Sequence, residues 1–461
     1  MDVLLINPPS GEVYGKMEAP DYPPLGLAYV GAALEKAGHK VKIIDISADK
    51  IPKHEFLQTI KNYKIIGLTS TTPTFNQAEN LCKLIKENTE AITVLGGIHA
   101  TIDPEDCLKS ENIDFVVRGE AEATITELVD KIQNKKSFSK VKGISFTKNG
   151  KIIHNENRDL IQNLDEIPFP ARHLFNHQKY TYPDSLLSPV MPIMTSRGCP
   201  HNCTYCCTKL IFSRRVRFRS AKNVVDEIEY LIKKYKVKEI HFWDDNFTLY
   251  KQRVFEINNE LKKRGIKLHF AFPNGLRVDQ VDFEILKCLK DMGVYSLAFG
   301  VESGNQIILD NVKKGTTIKQ IEQAYKWAKE LGFETWGFFM IGLYGDTPET
   351  IKDTISFAKK INPDVAKFHI LKPFPGTEIF KQLLKEGLIT EKDYSKYGIH
   401  TKPVHRLPDL TEEDLLNWSK KAYKEFYLRP TKIVQHILRV KSFERMKLNL
   451  KTGVNLVKSI L

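Results

Sequence analysis

Short apolar runs and amphipathic stretches alternate through the first third of the chain. Val3–Ile6 reads as a buried strand, Leu25–Ala37 as a helix stopped by Gly38, and Val41–Ile46 as a second strand. Ile65–Ser70 is a third strand, followed by a helix over Ala78–Lys86. Ile92–Gly96 is a fourth, and Phe115–Arg118 a fifth, followed by a helix over Ala123–Ile132. Strand–helix alternation with apolar strands predicts a parallel sheet covered on both faces. Ligands of such sheets bind beyond the carboxyl ends of the strands. The loops there are Asn7-Pro8-Pro9, Ser70–Thr74, Gly96–Thr101 and Arg118–Glu122, rich in small and hydroxylated residues that let a large polar ligand approach the backbone.

Residues 141–184 break this rhythm. Lys148-Asn149-Gly150 is a hairpin signal between two short strands, and Leu164–Arg172 is punctuated by prolines. The alternation then resumes with Pro192–Thr195, Glu239–Trp243, Leu268–Phe272, Ser296–Val301, Glu334–Ile341 and Val365–Leu371, separated by helical segments such as Ala221–Tyr235. Six strands with helical crossovers predict a second α/β unit over about 185–400. Function in βα barrels gathers at the carboxyl ends of the strands. Those ends read Asp244-Asp245-Asn246, Asn274–Arg277, Glu302-Ser303-Gly304, Gly342–Thr347 and Lys372–Thr377. Residues 401–461 read as helical.

The chemistry is concentrated after the first strand of this second unit. Cys199, Cys203 and Cys206 stand as C-x3-C-x2-C in one loop. Three thiolates so close can ligate three irons of a cubane cluster and leave the fourth open to a substrate, whereas clusters are ordinarily fully ligated by protein. The alternative is a zinc site completed by Cys207 or His201, although structural zinc usually draws on two separated ligand pairs. The spacing and the residues between the cysteines resemble the radical S-adenosylmethionine (SAM) superfamily, and the six-strand unit resembles its partial (β/α)6 barrel. The resemblance implies a [4Fe–4S] cluster whose open iron chelates SAM and whose electron cleaves it. It places Tyr205 beside the adenine, Asp244 or Asp245 near the amino group, Arg277 near the carboxylate, and Glu302 or Ser303 near the ribose. Lys313-Lys314 also matches a recurring pattern of that family, with a solvated loop as its default reading.

Residues 1–140 resemble the flavodoxin-like, Rossmann-type cobalamin-binding domain fused to many radical SAM enzymes. That resemblance assigns Ser70, Thr71, Gly96, Gly97, His99, Gly119 and Glu120 to cobalamin. The D-x-H-x-x-G motif that coordinates cobalt from below is absent, so His99 is not expected to be the lower ligand. A domain that binds no corrin and only supports the barrel is the competing reading. The related methylthiotransferases carry three more cluster cysteines in their N-terminal domain, where this chain has only Cys82 and Cys107; both fit packed hydrophobic positions better.

The fold class expected is therefore α/β: a flavodoxin-like N-terminal domain (1–140), a linker (141–184), a partial radical SAM barrel (185–400) and a helical C-terminal region (401–461). The activity implied is cobalamin-dependent functionalisation of an unactivated carbon, foremost C-methylation, with SAM as both methyl source and radical source. The alternative is C–C bond formation or ring closure without methyl transfer, on a lipid or a tetrapyrrole. An electron donor such as ferredoxin or flavodoxin is implied.

Charge and cysteine content adjust this picture. The net charge of +13 favours anionic partners. It leaves open a zinc-stabilised nucleic-acid module, but no recognition motif or aromatic platform supports one. Seven cysteines without a disulfide framework suit a reducing interior. No signal peptide or spanning segment is evident, so the chain reads as cytoplasmic, soluble or peripheral. From Arg429 to Leu461 eight Lys and Arg face one acid, Glu444, among interleaved apolar residues, a pattern of either a membrane-surface segment or a helix packed on the barrel.

Overall fold

The computed structural model describes residues 1–14, 22–180, 182 and 185–439. The strands, in chain order, are β1 (Asp2–Asn7), β2 (Lys40–Asp45), β3 (Ile65–Thr69), β4 (Ile92–Gly96), β5 (Phe115–Val117), β6 (Ile144–Lys148), β7 (Lys151–His154) and β8 (Val190–Ile193). They continue with β9 (Ser196–Arg197), β10 (Arg217–Phe218), β11 (Glu239–Phe242), β12 (His269–Leu276), β13 (Val294–Glu302), β14 (Glu334–Ile341) and β15 (Val365–Ile370).

The first sheet runs β2-β1-β3-β4-β5-β6-β7. Its first five strands are parallel, and the hairpin β6–β7 adds two antiparallel strands at the β5 edge. The hairpin expected between the two units therefore belongs to the first sheet. The centre of that sheet is apolar on both faces because helices cover both. Leu4, Ile6, Ile66 and Leu68 pack to one side, Val3, Leu5, Ile65 and Val94 to the other. The strand order reverses between β1 and β3, which places the switch-point crevice at the ends of β1 and β3.

The second sheet is β15-β14-β13-β12-β11-β8, all parallel, with no pairing of β8 to β15. It is a partial barrel with a helical shell. Along β14 burial alternates strictly: Thr335, Gly337, Phe339 and Ile341 face the helices, and Trp336, Phe338 and Met340 face the lumen. The helix Glu412–Tyr427 covers the open edge of β15. There the Tyr427 hydroxyl lies 2.9 Å from both the backbone N and O of Ala366, and Tyr423 binds the Phe368 N–H at 3.1 Å. Satisfying the backbone of an exposed edge removes a site for further strand pairing. A second helix, Pro430–Arg439, follows; the rest of the basic tail, 440–461, lies outside the described residues. Among the described residues no helix is long and apolar enough to cross a membrane.

Candidate active site between two sheets

The loop after β8 is held by buried arginines that donate to its backbone carbonyls. Arg172 reaches the Pro192 carbonyl at 2.7 Å, Arg219 that of Met194 at 3.0 Å, and Arg253 that of Thr195 at 2.9 Å. Arg172 and Arg219 share Glu227, a fully buried carboxylate. Burial alone would raise the Glu227 carboxyl; the two guanidiniums outweigh it and hold it below its ordinary range. β9 pairs with β10 just before the cysteines. Gly198 follows at φ +94°, where a Cβ would lie 2.4 Å from the Arg215 carbonyl, so the turn into Cys199 needs glycine.

Cys203 is buried, and Cys199 and Cys206 are half-buried. The Arg277 guanidinium lies 3.8 Å from the Cys203 sulfur, and Cys206 donates to the Thr208 hydroxyl at 3.4 Å. Burial raises the Cys199 and Cys206 thiols. These three thiols on one glycine-turned loop, with a guanidinium alongside, fit an iron–sulfur cluster, whose irons would keep them ionised. Cys207 stands at the start of the helix Thr208–Phe212, and burial pushes its thiol up to about 12.

The aspartate pair divides its work. Asp244 is buried, and its carboxylate accepts from the Thr195 N–H at 3.1 Å, the Thr195 hydroxyl at 2.7 Å and the Ser196 hydroxyl. It is a strut of the cysteine loop. Asp245 is exposed; it accepts from the Gly198 N–H at 3.2 Å and the Thr208 hydroxyl at 3.3 Å. Ser303 also turns away from the site. Its hydroxyl lies 3.1 Å from that of Thr354 and accepts from the Asn305 N–H. Glu302 remains. It pairs with Lys314 at 2.8 Å, and Lys314 lies 3.5 Å from the Tyr205 hydroxyl. A Cβ at Gly300 would meet Glu302 at 2.7 Å and Lys314 at 3.0 Å, so that glycine makes room for the pair. Lys314 is buried, contrary to the solvated loop expected from sequence. Arg277 is fixed by Asp279 through two 3.0 Å contacts and by the Lys314 carbonyl at 2.7 Å. Sequence reasoning missed Asp279, which is two residues from Arg277 and reads as an ordinary loop carboxylate, and it missed buried Arg172, Arg197 and Arg253, whose partners are distant in the chain.

The carboxyl edge of the first sheet faces this loop. The Ser70 hydroxyl is buried without a hydrogen-bond partner. Gly97 has φ +97°, and a Cβ there would lie 2.6 Å from the Ser70 carbonyl. Gly119, at φ +73°, donates its N–H to Thr101 at 3.0 Å. Gly96 ends β4, and Thr71 is exposed beside the switch point. This glycine-lined edge with an unpartnered hydroxyl fits the approach of a large polar ring. His99 is different: its ring is fully buried, 4.5 Å from Phe75 and 5.3 Å from Tyr394 between ring centres, with Nε2 3.4 Å from Asp106. Glu120 is engaged by protein groups. Its carboxylate takes Arg197 and Arg217, each at 2.7 Å, and the Ile161 N–H, also at 2.7 Å. Arg197, two residues before Cys199, also binds Glu122. The helix Ile98–Ile102 packs on the helix Thr208–Phe212. The cysteine loop and the glycine-lined edge thus share one interface.

Comparison with known proteins agrees with this architecture. The radical SAM superfamily matches residues 193–358, and the B12 binding domain matches residues 14–129. A protein of Pyrococcus horikoshii named as an uncharacterized methyltransferase is 36% identical over 95% of this chain and 95% of its own length. The anaerobic magnesium-protoporphyrin IX monomethyl ester cyclase of Rubrivivax gelatinosus is 30% identical over 93% of this chain and 78% of its own. The solved structure of the cobalamin-dependent radical enzyme OxsB superposes with a TM-score of 0.76 at 19% identity, covering 100% of this chain and 71% of that one. The chain belongs to the radical SAM enzymes that carry a B12-binding domain. Its cofactors are accordingly a [4Fe–4S] cluster, SAM and cobalamin.

Proposed function

We propose that the chain is a C-methyltransferase in which Cys199, Cys203 and Cys206 hold the cluster and the Ser70, Gly97 and Gly119 loops hold the corrin. The observation that carries this reading is the shared interface: Glu120 and Glu122 of the first domain clamp Arg197 of the cysteine loop. When bound there, the cluster supplies the electron that cleaves SAM, and cobalamin carries a methyl group. The chain's own residues orient SAM and keep its surroundings dry. Asp245 is the carboxylate open to an ammonium, Arg277 the guanidinium that keeps one nitrogen on the Cys203 side for a carboxylate while Asp279 and the Lys314 carbonyl hold the other two, and the Glu302–Lys314 pair the polar wall available to ribose hydroxyls, with Tyr205 over the adenine. Fixing reacting groups in one cavity is the protein's main contribution in such chemistry. The electron would come from a small donor such as ferredoxin or flavodoxin.

The test is the set of products made from SAM by anaerobically reconstituted protein, with and without cobalamin. S-adenosylhomocysteine that appears with 5′-deoxyadenosine only when cobalamin is supplied supports methyl transfer. 5′-deoxyadenosine alone, under both conditions, supports the ring-closing or C–C-forming alternative, the kind of reaction the Rubrivivax relative is named for.

A further inference from the structure

Basic side chains grip the residues between Cys199 and Cys203. Arg214 donates from Nε to the Pro200 carbonyl at 2.9 Å, and Lys209 donates to the Asn202 side chain at 2.8 Å. Both belong to the segment that follows the cysteines, the helix Thr208–Phe212 and the turn after it. The helix packs on the first domain, but the turn Ser213-Arg214-Arg215 is exposed. Ser213 sits at φ +55°, uncommon for a residue with a Cβ, and its hydroxyl accepts the Arg215 N–H at 3.2 Å. On the other flank of the loop the Thr204 N–H donates to the Val312 carbonyl at 3.0 Å, and Lys313 follows, exposed.

Lys209, Arg214, Arg215 and Lys313 thus meet two solvent-reached carboxylates, Glu378 and Asp245, and positive charge is in excess. Glu378 pairs with Lys209 at 3.8 Å and with Lys313. Asp245 accepts from the Gly198 N–H and the Thr208 hydroxyl and is the carboxylate assigned above to the SAM ammonium. Among the described residues Arg214 and Arg215 form no ion pair; Arg214 is held by a neutral carbonyl. The other groups assigned to SAM, Arg277 and the Glu302–Lys314 pair, are buried. The loop therefore has a dry side and a wet, basic side. The Pro200 carbonyl is one residue from Cys199, so covalent bonds and a single hydrogen bond join the Arg214 guanidinium to the first cluster cysteine.

We propose that the Arg214-Arg215 turn, with Lys209 and Lys313, is the docking surface for a small acidic electron-carrier protein that reduces the cluster from its wet side. Charge complementarity steers such encounters and sets their orientation. Redox partners meet over small interfaces, for which one turn and its flank suffice. One electron leaves the flavin hydroquinone of the carrier, which is oxidised by one electron, and enters the cluster, which is reduced by one; no proton passes between the proteins. The inference rests on the cluster reading of the cysteine loop and is independent of methyl transfer.

The probe is flavodoxin. Its binding to full-length, cluster-reconstituted protein is measured by calorimetry, and the rate at which its hydroquinone bleaches the cluster by stopped flow. Saturable binding that weakens with salt is expected. The double variant Arg214→Glu, Arg215→Glu should weaken it at least tenfold and slow reduction by flavodoxin to match. Reduction by photoexcited deazariboflavin, a small uncharged reagent, and the iron content should stay as in wild type. Arg215→Glu alone, which leaves the Arg214–Pro200 contact in place, should weaken binding at least threefold. Absence of saturable binding, or equal binding and reduction rates in wild type and both variants, overturns the proposal. Loss of single-stranded RNA binding in Arg215→Glu with flavodoxin binding intact also overturns it and assigns the turn to nucleic acid. Wild-type protein that takes up no iron would refute the cluster reading instead, whereas iron-loaded protein indifferent to the variants refutes the docking surface alone.

Discussion

Asp244 and Asp245 are neighbours in sequence with opposite fates. Thr195 and Ser196 use the carboxylate of the first, and the second stands open at the cysteine loop. Sequence could place both at a strand end but could not separate them, because the separation depends on hydroxyls about fifty residues away. The three cysteines were legible because their chemistry depends on spacing within one loop. A further buried carboxylate, Asp346, caps the Gly342 and Leu343 N–H groups after β14 at 3.0 and 2.9 Å. Burial raises it from 3.8 to about 6, against the pull of those hydrogen bonds. The folded state therefore holds this proton more tightly than the unfolded one. The stability it contributes is complete below about pH 4 and is lost as pH rises through about 6, by on the order of 3 kcal/mol. Urea unfolding at pH 4.5 and pH 7.5 should show this loss in wild type and a smaller one in Asp346→Asn. Equal pH dependence in the two proteins would refute it.

At the scale of elements, apolar runs located the parallel strands of both sheets, and the Lys148-Asn149-Gly150 turn located the antiparallel hairpin β6–β7. The apolar pattern missed the short helices Ile46–Asp49 and Lys53–Ile60, which have too few turns to display a helical period. It also missed the arginine collar of the cysteine loop, since Arg197 and Glu120 lie 77 residues apart. That clamp has a measurable weight. Glu120→Gln leaves buried Arg197 and Arg217 short of a counter-charge and should cost roughly 3 kcal/mol in denaturant unfolding. It should also lower iron retention, because the cysteine loop loses its anchor to the first domain. An unchanged unfolding midpoint together with full iron content would show that the clamp is dispensable.

At the scale of the whole molecule, two parallel sheets present their carboxyl edges to one interface, and the segment after the barrel closes over it. Asn76 holds Asp393 at 3.0 Å, and Tyr394 packs on His99. His99 is thereby enclosed and faces Asp106; with the D-x-H-x-x-G motif absent, we propose that it does not ligate cobalt. Paramagnetic resonance of bound Co(II) cobalamin should show no nitrogen coupling that depends on this residue. A nitrogen splitting that disappears in His99→Ala would contradict that assignment.

The central claim is that one chain builds two separate cofactor seats that meet, a cluster seat on the cysteine loop and a corrin seat on the first sheet. It is tested most directly by iron, sulfide and corrin analysis of anaerobically reconstituted protein, comparing wild type with the Cys199, Cys203 and Cys206 triple alanine variant and with Cys207→Ala. The account predicts about four irons, about four sulfides and one corrin per chain for wild type and for Cys207→Ala, and one corrin without iron for the triple variant. Iron retained by the triple variant, iron lost with Cys207, or wild-type protein that takes up no corrin would contradict it.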